Sequence, residues 1–209
     1  MKFVALLSSG IDSPVATYLL SQKNEDVILI HADNRPYTDD REIKNFKKLA
    51  KHVKKKISGT VEVFIIPHGP SLQAYTENCK KRFTCVFCKR MLLRYAEAIV
   101  EKEGACAIIM GDSLGQVASQ TLQNIRVIQQ AIKTPVLTPL IGFDKEEIVH
   151  IAKDIGTYNL SIQSSDGCSA VPYKPATMAR IEDVLVEEEK IDVKKLVKHA
   201  INNMQKIEI

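Results

Sequence analysis

Four short runs with almost no polar residue constrain the fold most: KFVALL at 2–7, VILIH at 27–31, VEVFII at 61–66 and ACAIIM at 105–110. A strand with one face in water alternates apolar and polar positions. A strand covered on both faces is apolar almost throughout, as in a parallel sheet between helical layers. The stretches between the runs are patterned as crossover helices. Ile43, Phe46, Leu49, Ala50, Val53 and Ile57 recur at helical spacing within 40–57, which predicts an amphipathic helix there. A helix is expected from about Pro14 to Gln22, with proline in its first turn. Others are expected after Cys85, after the 111–121 stretch, and over 144–155 with Gly156 as C-cap. Pro135–Pro139 frames a further short strand, and the tail after Thr177 reads as two polar helices. The fold class is therefore α/β: a doubly wound, mainly parallel sheet with helices on both faces.

In such a sheet ligands bind outside the carboxyl ends of the strands, near the switch in strand order. That places interest on the loops 8–13, 31–37 and 111–120, all polar and glycine-containing or adjoining a strand end. The bulk numbers narrow the classes. A chain of 209 residues, 45% hydrophobic, suits one globular unit with its own core. It holds no apolar run of about 18 residues, so no membrane span is expected. MKFVALLSSG is short and passes at once into Ser, Gly and Asp, which reads as a strand entering a loop rather than a signal peptide. A cytoplasmic protein is expected. The five cysteines, an odd number without a secretion signal, point to reduced, catalytic or metal-binding thiols rather than a disulfide framework. The net charge of +4 is modest but uneven: residues 41–56 hold Arg41 and seven lysines against Glu42 alone, and 79–94 hold six basic residues and no acid. A polyanion could dock there, although the 41–56 run by itself also reads as a solvated helix face.

Ser8-Ser9-Gly10-Ile11-Asp12-Ser13 joins the first strand to the first helix. Backbone N–H groups at a helix start attract anions. Ser8 and Ser13 add hydroxyls, Gly10 lets the chain approach a phosphate, and Asp12 can hold Mg2+. There is no lysine, so this is not a Walker A loop. The plainer alternative is a strand–turn–helix junction capped by Ser and Asp. Gly111-Asp112-Ser113-Leu114-Gly115-Gln116-Val117-Ala118-Ser119-Gln120-Thr121 likewise follows a strand and enters a helix. A capped helix start accounts for Asp112 and Ser113, but not for the density of small and amide residues.

SSGIDS resembles the SGGxDS loop of the PP-loop ATP-pyrophosphatases, with Ser9 where that family has glycine. The 111–121 stretch resembles the G-[DE]-S-L-G-Q-V-A-S-Q-T segment of the ThiI family of tRNA 4-thiouridine synthases. PLIGFDKEEI at 139–148, IGTY at 155–158 and Cys88-Lys89-Arg90-Met91 resemble further segments of the same family, in order, across roughly residues 4–176. The resemblance implies ATP cleavage between the α- and β-phosphates, adenylation of a carbonyl oxygen, and replacement of that oxygen by sulfur, on uridine O4 of tRNA. It implies an ATP site of Leu6, Leu7, Ser8, Gly10, Ser13, His31, Ala32, Arg90, Gly111 and Gln120. Asp12, Lys145 and Cys168 become the catalytic residues, with Asp12 also on Mg2+. The expected layout is a PP-loop domain over 1–176 and a helical extension of it over 177–209. The chain begins directly at the first strand, so a stand-alone catalytic domain without THUMP or rhodanese parts is expected, with tRNA held by a separate binding protein. The sulfur donor would be a cysteine desulfurase or sulfide, and the fold leaves room for an oligomer. Two rivals keep the nucleotide and change the rest: another acceptor, either a small molecule or a sulfur-carrier protein, or a nucleotide-binding subunit of a split thiolase.

Cys85-Val86-Phe87-Cys88 is a CxxC at a helix start. The helix dipole and Lys81, Arg82, Lys89 and Arg90 would favour thiolates there. Redox pair, zinc half-site, iron–sulfur ligands and buried hydrophobes all compete, with Cys168 and Cys79 the available completers of a metal set. Cys168, in Ser165-Asp166-Gly167-Cys168-Ser169 before Lys174-Pro175, resembles the family's persulfide-forming cysteine. In ThiI-like proteins of methanogenic archaea the CxxC and this cysteine are expected to hold an iron–sulfur cluster, which here means Cys85, Cys88 and Cys168. Cys106, in a strand, reads as core.

Overall fold

The structure, a computed structural model, describes residues 1–163 and 167–209. The apolar runs become the strands β1 (Lys2–Leu6), β2 (Asp26–Asp33), β3 (Val61–Pro67) and β4 (Ala107–Ile109), joined by β5 (Val136–Leu137) and β6 (Gln205–Lys206). Among the described residues they form a six-stranded sheet in the order β5-β4-β1-β2-β3-β6. Every pairing is parallel except that of β6 with β3 at one edge. The chain steps from β1 outward to β2 and β3, then returns to the other side of β1 for β4. The switch in strand order therefore lies between β1 and β4.

Two apolar layers sandwich the sheet, and strand alternation divides them. Phe3, Ala5, Leu7, Val27 and Leu29 face α1 (Asp12–Leu20), α2 (Asp40–Lys54) and α6 (Lys145–Asp154), meeting Val15, Phe46, Leu49 and Ile148. Val4, Ile28, Ile30, Ile66 and Ile108 face the opposite way. There they meet α3 (Gly69–Asn78), α4 (Thr84–Glu103), α5 (Leu122–Gln129), α8 (Ile181–Glu188) and α9 (Val193–Asn202), through residues such as Tyr75, Phe87, Val127 and Val184. A short helix, α7 (Tyr158–Ser161), follows α6. α3 and β6 escape periodicity arguments. α3 opens on Gly-Pro, normally a turn signal, and buries polar Ser71 beside Leu72 and Tyr75.

The tail is tied to α4 through charge. Glu188 accepts from Arg94 at 2.7 Å on each oxygen, from Arg90 at 3.1 and 2.9 Å, and from the Tyr75 hydroxyl at 3.3 Å. Burial alone would raise the Glu188 carboxyl, but hydrogen bonds from the two arginines outweigh it and hold it at about 2. A carboxylate with a depressed folded value stabilises above its unfolded value. That contribution is intact above about pH 5 and fades as pH falls from the ordinary 4.5 toward 2. Glu188→Ala leaves two largely buried guanidinium groups without their anion and should destabilise by about 3–5 kcal/mol at pH 7. Urea midpoints at pH 7 and pH 3 test this: the gap between parent and variant should narrow at pH 3, and an equal gap at both would exclude the network as its source.

Candidate active site

A cavity of about 440 Å³ opens at the strand carboxyl ends on both sides of the switch point. Its walls are Leu6 to Ser8 and Gly10 to Ser13 after β1, Ile30 to Ala32 and Asn34 on β2, and Met110 to Asp112 after β4. Glu42, Lys89, Leu92, Gln116, Val117, Gln120 and Lys145 complete it. Of the expected nucleotide residues, Leu6, Leu7, Ser8, Gly10, Ser13, His31, Ala32, Gly111 and Gln120 all line this one space, as do Asp12 and Lys145.

The phosphate loop is closed from within. The Ser8 N–H donates to Ser13 Oγ at 2.9 Å, the two hydroxyls meet at 3.0 Å, and the Gly10 N–H donates to Ser8 Oγ at 3.2 Å. No side chain caps α1, so its first-turn N–H groups remain for a ligand, as at anion-binding helix starts. That removes the reading of Ser and Asp as ordinary caps. Ser9 needs no left-handed backbone: among the described residues Asn24 is the non-glycine with positive φ. Its hydroxyl instead donates to Glu42 Oε1 at 2.8 Å. Gly111 is fixed by contact, since a Cβ there would lie 2.6 Å from the Ser13 nitrogen.

Two ion pairs stand at the cavity. Lys145 opens α6 behind a capping box of Asp144 and Glu147, and its Nζ meets Asp12 at 2.7 Å. Lys89 on α4 meets the buried Asp112 at 2.6 Å, and Gln120 Nε2 donates to the same oxygen at 3.3 Å. Facing them are unused acceptors. His31 donates from Nδ1 to the Leu7 carbonyl at 3.0 Å, which leaves Nε2 as an acceptor, buried and without a partner. Burial holds this imidazole neutral by lowering its pKa, against the opposing pull of the Leu7 bond, Glu42 and Asp33. Gln120 Oε1 and Asn34 Oδ1 are likewise buried and unpartnered.

Arg90 is a correction. It does not line the cavity; it is buried at 1% exposure and bound to Glu188 and the Val127 carbonyl. The helix phase explains it. Lys89 shares a face with Leu92, which also lines the cavity, whereas Arg90 lies with the buried Phe87, Met91 and Arg94 side of α4. Glu42 and Asn34 were not singled out, since neither lies in a recognisable motif.

The thiols also differ from expectation. Burial raises Cys85, Cys88 and Cys168, with Cys88 pushed up to about 12, and Lys89 lowers the first two by less. Desolvation therefore outweighs the helix start and nearby cations. The three thiols do share a neighbourhood: negative charge on Cys168 would raise both Cys85 and Cys88. Cys88 Sγ rests on Nε2 of the fully buried His68 at 3.3 Å, and Tyr95 and Ser71 continue that chain at 3.2 and 2.6 Å. Soft sulfur donors suit a cluster, but among the described residues no three His, Cys, Asp or Glu stand close enough to hold a metal ion. Cys168 is half-buried, and its loop is tied down by Ser169, whose N–H donates to the Tyr37 carbonyl at 2.8 Å. Ser165 and Asp166 lie outside the described residues. Cys79 is buried, but Cys106 is exposed rather than core.

This is an α/β nucleotide-binding fold of the PP-loop ATP-pyrophosphatase type. The family model described as "Thiamine biosynthesis protein (ThiI)" matches residues 1–193, and the chain belongs to that family. A probable tRNA sulfurtransferase of Methanothermobacter thermautotrophicus is 42% identical over 209 residues, covering 100% of this chain and 54% of the relative. One from Methanosarcina mazei is 39% identical over 201 residues, covering 96% and 50%. The chain thus spans about half the length of the curated relatives it matches. A crystal structure of a 4-thiouridine synthetase–RNA complex with bound ATP superposes with a TM-score of 0.93 at 31% identity, covering 99% of this chain and 55% of that one. An NMN synthetase from Francisella tularensis, 15% identical with a TM-score of 0.58 and covering 96% of this chain and 83% of its own, shares the fold alone. Among the described residues no helix is long and apolar enough to cross a membrane.

Proposed function

We propose that this chain carries out ATP-dependent thiolation of a tRNA uridine, activating O4 by adenylation and replacing that oxygen with sulfur delivered through Cys168. One observation carries the reading. A single cavity is lined by the uncapped phosphate loop with Asp12 and Lys145, and by Glu42, whose charge reaches Cys168. The relatives named tRNA sulfurtransferase, and the 4-thiouridine synthetase solved with RNA and ATP, support this choice of acceptor and nucleotide.

ATP phosphates lie against the start of α1. Lys145 and Lys89, each paired to a carboxylate, are placed to turn toward charge gathering on the leaving pyrophosphate. Asp12, together with phosphate oxygens, would hold Mg2+, which adds positive charge beside the leaving group. Uridine O4 attacks the α-phosphorus, the bond to the bridging oxygen breaks and pyrophosphate leaves, while the N3 proton is released to give a neutral O4-adenylate with a C4–N3 double bond. The apolar lining of Ile30, Leu92, Met110 and Val117 limits water at the adenylate. The outer sulfur of a Cys168 persulfide then attacks C4, and AMP departs with the former O4. Cys85 or Cys88 next attacks the remaining S–S bond, freeing the thiolated base and leaving a protein disulfide that an external thiol reopens. The persulfide is loaded by a sulfur donor such as a cysteine desulfurase. Cys85, Cys88 and Cys168 are the residues that would hold an iron–sulfur cluster, and no step above passes through one. The exposed lysines of α2 and Lys80 to Arg82 support docking of the RNA backbone, which would make binding salt-dependent.

The test is mass spectrometry of tRNA nucleosides from a strain lacking the gene. 4-Thiouridine should disappear and return when the gene is restored. An unchanged level would overturn the thiolation reading in favour of another acceptor.

A further inference from the structure

We propose that Glu42 is the specificity residue for the acceptor base, accepting a hydrogen bond from the ring N3–H of the pyrimidine whose neighbouring O4 is activated. The inference rests on the thiolation reading and adds to it a residue that reads the base.

The placement is triangular. The reacting C4–O4 unit must reach two things in turn: the α-phosphate at loop 8–13, and the sulfur on Cys168. Glu42 touches both directions. It lines the nucleotide cavity, and its Oε1 accepts from Ser9 of the phosphate loop at 2.8 Å. Its charge also acts on the Cys168 thiol, raising it. A base lying between the loop and Cys168 therefore lies against Glu42.

The chemistry then selects the base. A carboxylate offers two oxygens and, ionised, can only accept. Ser9 occupies one, so the other calls for a donor. On a uracil ring the donor beside the reacting carbonyl is N3–H. Cytosine carries an acceptor at that position, and a lone pair facing a carboxylate is repelled. Asn34, whose Oδ1 is buried and unpartnered, lines the same cavity. The cations Lys89 and Lys145 are each already paired, with Asp112 and Asp12. Ser9 has a reason in this arrangement: its hydroxyl fixes the Glu42 side chain from the loop that binds the phosphate.

The experiment uses RNA carrying uridine at the thiolated position as substrate, with release of AMP and formation of the 4-thio base both followed, and the same RNA carrying 3-methyluridine as a competing inhibitor, since methylation removes the proton that adenylation must release. The unaltered chain should be inhibited only weakly by the methylated RNA, since the methyl group removes the donor and fills the space in front of Glu42. Glu42→Ala should slow the uridine reaction roughly 10- to 100-fold and bind the 3-methyluridine RNA at least as tightly as the uridine RNA, because the vacated space takes the methyl group. Glu42→Gln keeps a carbonyl acceptor and should retain part of the preference for uridine. The ratio between the two RNAs cancels any general loss of folded protein. If Glu42→Ala discriminates against the 3-methyluridine RNA as strongly as the unaltered chain does, Glu42 does not face N3 and the proposal is overturned. If the unaltered chain releases AMP and does not thiolate the uridine RNA, the thiolation reading itself has failed, and this role with it.

Discussion

With Cys168 replaced by serine, the protein should still convert ATP to AMP in the presence of RNA but form no thiolated base. The expected loss in sulfur transfer is on the order of 10³-fold or more, as for removal of a nucleophile. The two half-reactions separate because their groups do. The phosphate loop, Asp12 and Lys145 sit after β1 and at the head of α6, whereas Cys168 belongs to a loop held to Tyr37 by Ser169. Among the described residues nothing in that loop bonds to the phosphate loop, so the nucleotide side should survive the change. Serine keeps the size of the side chain and cannot carry a persulfide. The measurement is paired: labelled AMP by chromatography and the thiolated nucleoside by mass spectrometry, on one reaction. Full sulfur transfer by the serine variant would remove Cys168 from the chemistry. Parallel loss of AMP formation would place it in the adenylation step instead.

The sheet could be read from the chain because burial on both faces leaves a mark that needs no tertiary knowledge: nearly unbroken apolar runs at 2–7, 27–31 and 61–66. The loops after β1 and β4 could be read for a related reason, since strand–loop–helix order fixes where a parallel sheet binds ligands. What escaped depends on contacts between distant segments. Arg90 and Lys89 are adjacent, and either could serve a phosphate. The choice turns on Glu188, 98 residues away, which claims Arg90 in the core. His68 reaches Cys88 across 20 residues, from the N-cap position of α3. Thiol acidity failed for the same cause: the sequence shows the lysines around Cys85 and Cys88 but not the burial that outweighs them. Ser9 is the converse case. Taken alone it departs from the family's glycine; in the fold it is the hydroxyl that reaches Glu42.

Asp12→Ala and Lys145→Ala should each lower ATP turnover by roughly 10²- to 10³-fold, the usual effect of removing one preorganised charge from a site where charge develops. The two residues form one pair at 2.7 Å, with side chains 25% and 50% exposed. An ion pair so open to water contributes at most about 1 kcal/mol to stability, so both variants should unfold at nearly the parent temperature. That separates this pair from Glu188, where the charge is buried and the loss is structural. Because Asp12 and Lys145 act on the same phosphates, the double variant should be little slower than either single one, as for groups that work as a unit. Turnover is followed with ATP labelled at the α-phosphate, and the labelled product should be AMP. Labelled ADP from the unaltered chain would show cleavage at the other phosphoanhydride bond and exclude adenylation. Additive losses in the double variant would mean that Asp12 and Lys145 meet different parts of the substrate, and that their pairing at rest has no counterpart in the reaction.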